Sequence, residues 1–90
     1  MIPVIITHEV KDFKEWKVGY DGHESARAAA GFKVDSLYQS VSNTNEVTII
    51  GTFPGIDAVN GFVNSPGLKE TMEKFGVISQ PEIKVLNKVQ

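Results

Sequence analysis

The order of apolar patterns along the chain predicts an α+β domain, β-α-β-β-α-β, with one four-stranded antiparallel sheet and its helices on a single face. Two observations predict it. Four short stretches rich in β-branched residues are interleaved with two stretches whose apolar residues recur every three or four positions. The first and third of the β-branched stretches carry adjacent isoleucines, and right-handed crossovers place those two strands in the middle of the sheet.

Pro3 to Val10 is the first strand. Val4, Ile5 and Ile6 are apolar in succession rather than alternating, as in a strand buried on both faces. Asp12 then offers an N-cap oxygen, and Glu15 three residues later completes a D-x-x-E form of the capping box. From Asp12 to Gly31 the spacing predicts one amphipathic helix, with Phe13, Trp16, Tyr20, His23 or Glu24, and Arg27 on one face. Gly19 and Gly22 each cost about 1 kcal/mol of helix propensity relative to Ala, so the middle is expected to bend or to pack closely. Gly31 is the left-handed stop.

Phe32 to Val41 alternates Phe32, Val34, Ser36 and Tyr38 with Lys33, Asp35, Leu37 and Gln39, a strand with one wetter face. Ser42-Asn43-Thr44-Asn45 is a turn, and Val47 to Phe53 returns as the third strand of a hairpin. Pro54-Gly55 ends it. Ile56 to Asn64 is helical, and Ser65-Pro66 opens a second helical piece through Leu68, Met72 and Phe75 to Gly76. Gln80 to Val89, with Ile83 and Val85 flanking Lys84, is the charged last strand. No linker or repeat divides residues 1–90, so they form one domain in the split-βαβ, ferredoxin-like arrangement.

Composition excludes several classes. Ninety residues, 41% hydrophobic and 22% charged, build one thin-cored domain, and a net charge of −2 without basic clusters gives no footprint for nucleic acid or an anionic membrane. The absence of cysteine removes disulfides, thiolate metal sites and a cysteine nucleophile. No apolar run approaches the ~20 residues of a bilayer span, and MIPVIITHEV lacks the basic start of a signal peptide, so a cytoplasmic protein is expected. Helices on one face leave the other face of Val4–Ile6 and Val47–Ile50 to meet something apolar. The expected partner is a second copy, giving a homodimer through the sheet face away from the helices.

The element order, the aromatic first helix (Phe13, Trp16, Tyr20) and the run Asn64 to Met72, NSPGLKETM, followed by Gly76-Val77, resemble the dimeric α+β barrel superfamily. That superfamily includes antibiotic-biosynthesis-monooxygenase-like and stress-responsive A/B barrel proteins. The resemblance implies two sheets paired back to back into a barrel, with a ligand cavity between sheet and helices in each protomer. For the cofactor-independent monooxygenases it further implies an Asn, a Trp and a His around an electron-rich aromatic substrate. This sequence departs from that set: Thr7 and His8 stand on the first strand in place of an Asn, Trp16 lies on the first helix, and the second half has no His.

Six residues are candidates for a site. His8 shares the parity of Val4 and Ile6 and has an ordinary pKa near 6.5, which suits a general base, although a strand-end histidine bonded to backbone or water is the commoner case. Trp16 and Tyr20 form an aromatic ridge, faced by Tyr38 from the second strand, which walls a pocket for a flat ligand or simply marks the core stripe. His23 and Arg27, four apart, suit a carboxylate or a developing oxyanion, while Arg27 also suits a surface ion pair. His8 and His23 are thus the catalytic candidates, and Trp16, Tyr20, Arg27 and Tyr38 the substrate-binding ones. His8-Glu9 and His23-Glu24 match no metal-binding spacing and the glycines form no phosphate loop, so neither a metal nor a cofactor is expected. The expected ligand is small and aromatic or apolar. Monooxygenase-like chemistry and non-catalytic ligand binding both remain open.

Overall fold

The computed structural model describes residues 1–89. In chain order it contains β1 (Ile2–Glu9), α1 (Phe13–Gly22), α2 (Glu24–Ala29), β2 (Lys33–Gln39), β3 (Glu46–Phe53), α3 (Ile56–Val63), α4 (Pro66–Lys74) and β4 (Glu82–Val85). The strands form one antiparallel sheet in the order β2-β3-β1-β4. The expected α+β, ferredoxin-like topology is present, with β1 and β3 central.

β1 and β3 pair from Ile2↔Phe53 to Glu9↔Glu46 without a break. This register brings Val4, Ile6 and His8 of β1 and Val47, Ile49 and Phe53 of β3 to the helix-covered face, all buried, with His8 opposite Val47 and Ile6 opposite Ile49. Trp16 of α1 and Val59 of α3 close over them. Phe32 and Phe53 stack with centroids 4.6 Å apart, and Phe62 packs against both, so one end of the layer is filled with rings. The opposite sheet face carries Pro3, Ile5, Thr7, Thr48, Ile50 and Thr52, each half-buried.

Asp12 caps α1 as expected, its Oδ1 accepting from Lys14 N at 3.1 Å. The reciprocal bond from Glu15 is not made. Instead Asn45, in the turn between β2 and β3, accepts the Phe13 N–H at 3.0 Å, while its own carbonyl accepts from Val10 N. The orphan donors of a helix start must find acceptors somewhere, and here the hairpin turn supplies one and ties α1 to the sheet.

Three expectations are corrected. The helix from Asp12 to Gly31 is two helices, because His23 leaves helical backbone at φ −103°, ψ 14° and its N–H turns back onto Tyr20 O and Asp21 O. Gly22, directly before it, weakens the last turn of α1. The alternation in β2 is broken by a bulge between Val34 and Ser36. The extra residue, Asp35, flips the parity, so Val34 pairs with Gly51 on the helix side whereas Ser36 and Tyr38 pair with Ile50 and Thr48 on the open side. Finally β2 and β4 are shorter than the stretches 32–41 and 80–89. Beyond Val85 one further bond, Leu86 N to Pro3 O, continues the ladder.

The two glycines of α1 serve different ends. A Cβ at Gly19 would collide with the Phe75 ring, whereas Gly22 has open space around it. Gly19→Ala is therefore expected to lower the melting temperature, since an overpacking cost of about 1–3 kcal/mol exceeds the ~1 kcal/mol gained in helix propensity. Gly22→Ala is expected to leave it unchanged or raise it. Thermal unfolding of the two variants followed by circular dichroism checks the contrast.

Candidate functional site

Between the sheet and the helices, at the end not filled by the phenylalanine cluster, lies a cavity of about 610 Å³. Its floor is Ile6, His8, Ile49 and Ile83 of the sheet, one wall is Trp16, Tyr20, His23 and Arg27, and the other is Leu68, Thr71, Met72 and Phe75 of α4 and its end. Neither α2 nor α4 contributes a fully buried described residue, so these two helices roof a hollow rather than a packed core. Phe75 spans the roof by resting against Gly19 and meeting the His23 ring edge-on at 4.9 Å.

His8 is the deepest ionisable group, 5% exposed. It meets Trp16 edge-on at 5.4 Å, and its Nδ1 is buried without a hydrogen-bond partner. Burial pushes its pKa below the usual 6.5. Trp16 in turn packs on Tyr20 at 4.8 Å, and the Arg27 guanidinium lies over the Tyr20 ring at 3.7 Å. Arg27 Nη1 also donates to Tyr20 O at 2.6 Å, a strap from α2 across the break to α1. Burial raises the Tyr20 hydroxyl pKa, opposed by the charges of Arg27 and Lys17.

Five of the six residues singled out from sequence therefore line one cavity: His8, Trp16, Tyr20, His23 and Arg27. Tyr38 does not. It stands 55% exposed on the opposite face of the sheet, where the β2 bulge sends it. The expected ion pair for Arg27 is replaced by the Tyr20 contacts; among the described residues the ion pairs are Lys17–Asp21 and Lys84–Glu82. The α4 wall lies outside the six residues that the sequence points to. The signal was present, since Leu68, Thr71, Met72 and Phe75 follow one helical stripe and Thr71 is a polar residue set in it. Among the described residues no group of three His, Asp or Glu is placed to hold a metal ion, and no helix is long and apolar enough to cross a membrane.

The sequence matches no protein-family model and no curated protein. Its structure does match solved ones. A "putative antibiotic biosynthesis monooxygenase" of Bordetella bronchiseptica superposes with a TM-score of 0.77 at 19% identity, over 99% of this chain and 97% of that one. The chain shares the ferredoxin-like α+β fold of that protein. A further protein described as an antibiotic biosynthesis monooxygenase gives a TM-score of 0.71 at 10% identity over 100% of both chains. A conserved protein of Methanosarcina mazei Go1 gives 0.73 at 17% identity, over 97% of this chain and 91% of that one. The expected resemblance to this superfamily thus holds at the level of fold.

The depressed His8 pKa has a consequence for stability. As pH falls below 6.5 the unfolded chain takes up a proton that buried His8 resists, so the unfolded state binds more protons and folding stability declines until the folded pKa is reached. Denaturant unfolding between pH 7.5 and 5, in wild type and His8→Gln, is expected to show this decline reduced in the variant. Proton NMR is expected to find the His8 ring titrating below 6.5.

Proposed function

We propose that this chain binds a small aromatic or apolar molecule in the cavity and oxidises it by cofactor-independent, monooxygenase-like chemistry, working as a homodimer. The observation that carries the reading is the buried imidazole of His8, kept uncharged at the inner end of a cavity walled by Trp16, Tyr20 and Phe75. An uncharged imidazole accepts a proton. With a phenol, His8 takes the hydroxyl proton, and the electron-rich phenolate supplies four electrons to dioxygen. One oxygen atom enters the ring to give the quinone, the other leaves as water, and the proton held by His8 is among those that end in that water. Trp16 and Tyr20 hold the ring, and His23 beside them and Thr71 on the opposite wall orient polar substituents. The fold shared with proteins described as antibiotic biosynthesis monooxygenases supports the assignment.

The homodimer rests on the open sheet face. There Ile5 and Ile50 pair at the centre, Thr7 and Thr48 bond through their hydroxyls at 3.2 Å, and Tyr38, Lys84 and Glu82 stand around them. An apolar centre with a charged rim is the anatomy of an interface. A second reading, non-catalytic ligand binding, is favoured by one feature: among the described residues no carboxylate orients either histidine, His8 Nδ1 being unpartnered and His23 lying against Phe75.

Oxygen uptake with phenolic substrates separates the readings. His8→Ala is expected to slow it about a hundredfold or more, the scale of a lost general base. Equal rates in wild type, His8→Ala and His23→Ala would reject both histidines as catalysts, and binding without any uptake would leave the non-catalytic reading. For the dimer, light scattering is expected to give twice the chain mass for wild type and a monomer for Ile50→Glu. A wild-type species near 9.9 kDa at every dilution would sink the interface.

A further inference from the structure

The cavity wall is a graded series of rings and charge. From the inside outward it runs His8, Trp16, Tyr20, Arg27, with ring centroids 5.4 and 4.8 Å apart and the guanidinium carbon 3.7 Å from the Tyr20 ring centre. Its inner end is the buried imidazole of His8. Its outer end is a guanidinium, half-buried, that also lines a second groove on the outside together with Asp21, Glu24 and Lys33. The ionisable groups of the cavity are His8, Tyr20, His23 and Arg27, and no Asp or Glu is among the described lining residues. Among the described lining residues Arg27 is therefore the one permanent charge facing the cavity.

Among the described residues no carboxylate neutralises that charge. Of its five N–H donors, one goes to Tyr20 O, and no carboxylate of the described residues pairs with it. Asp21 is bonded to Lys17 at 2.6 Å, and Glu24 is exposed on the outer groove, so neither offsets Arg27 on the cavity side. A half-buried guanidinium with free donors, set at the rim of an apolar hollow, favours an anion more than an exposed one would, because water screens it less.

We propose that the ligand of this cavity is an amphiphilic anion, an aromatic or apolar body bearing a carboxylate or similar acidic group, bound with the acid at Arg27 and the body running inward to Trp16 and His8. The inference rests on the cavity being the ligand site. It fixes the orientation of the ligand: the end that meets His8 is the one remote from the acidic group. A ligand lacking the acid loses the outer anchor, and a cationic one meets Arg27 with like charge.

Three fluorescent probes of one shape test this: naphthoate, naphthamide and naphthylmethylammonium, titrated into the full chain. Naphthoate is expected to bind about tenfold or more tightly than naphthamide, the scale of one charge-assisted pair, with the ammonium weakest. In Arg27→Gln the naphthoate advantage is expected to collapse, while Arg27→Lys retains part of it. Naphthamide binding reports that the cavity is still formed in each variant. Salt gives a second measurement on wild type alone: it is expected to weaken naphthoate and leave naphthamide unchanged. Equal affinities for all three probes would overturn the anion preference and leave the cavity reading standing. An advantage that survives in Arg27→Gln would overturn the assignment to Arg27. Failure of every probe to bind would overturn the cavity reading itself, and this inference with it.

Discussion

The unbroken register between β1 and β3 is the constraint on which the rest depends. Because side chains alternate across a strand, a slip of one residue would carry Val4, Ile6 and His8 to the open face and bring Ile5 and Thr7 beneath the helices. The core, the floor of the cavity and the depth of His8 are all set by that single parity. The burial of Val4, Val47 and Phe53, each with no exposed surface, makes any such slip costly.

On this frame the two ends of the helix layer are treated differently. One end is filled by the rings of Phe32, Phe53 and Phe62, with Gly51 kept bare so that Phe32 can lie against the strand. At the other end the helices are broken into short pieces, α1 from α2 at His23 and α3 from α4 at Asn64, and the second piece of each carries no fully buried described residue. Short pieces that reach outward without filling the space below them leave a hollow. Gly19 then lets Phe75 close over it from the far side.

The site that results holds two histidines in unlike surroundings. His8 is desolvated with an unpartnered nitrogen, a state that water would not permit and that hydrophobic neighbours impose. His23 owes its position to the break in the helix, where it is at once the cap of α1 and the contact of Phe75. Arg27 crosses that break to Tyr20, so the joint between the helices is also where charge meets the cavity.

The sequence by itself determined the element order, the central place of the isoleucine-bearing strands and the aromatic wall of Trp16 and Tyr20, because periodicity and crossover handedness are local or topological properties. It also marked His8, through parity along β1. Three things were decided only in the tertiary structure. The β2 bulge at Asp35 reversed the facing of Tyr38, and no local pattern distinguishes a bulged strand from a regular one of the same composition. The end of α1 at His23 came from glycine weakness combined with the packing of Phe75, which lies more than fifty residues away. The α4 wall became a wall only when Leu68, Thr71 and Met72 were set across a gap from β1, since an amphipathic stripe reads the same over a filled core as over a cavity.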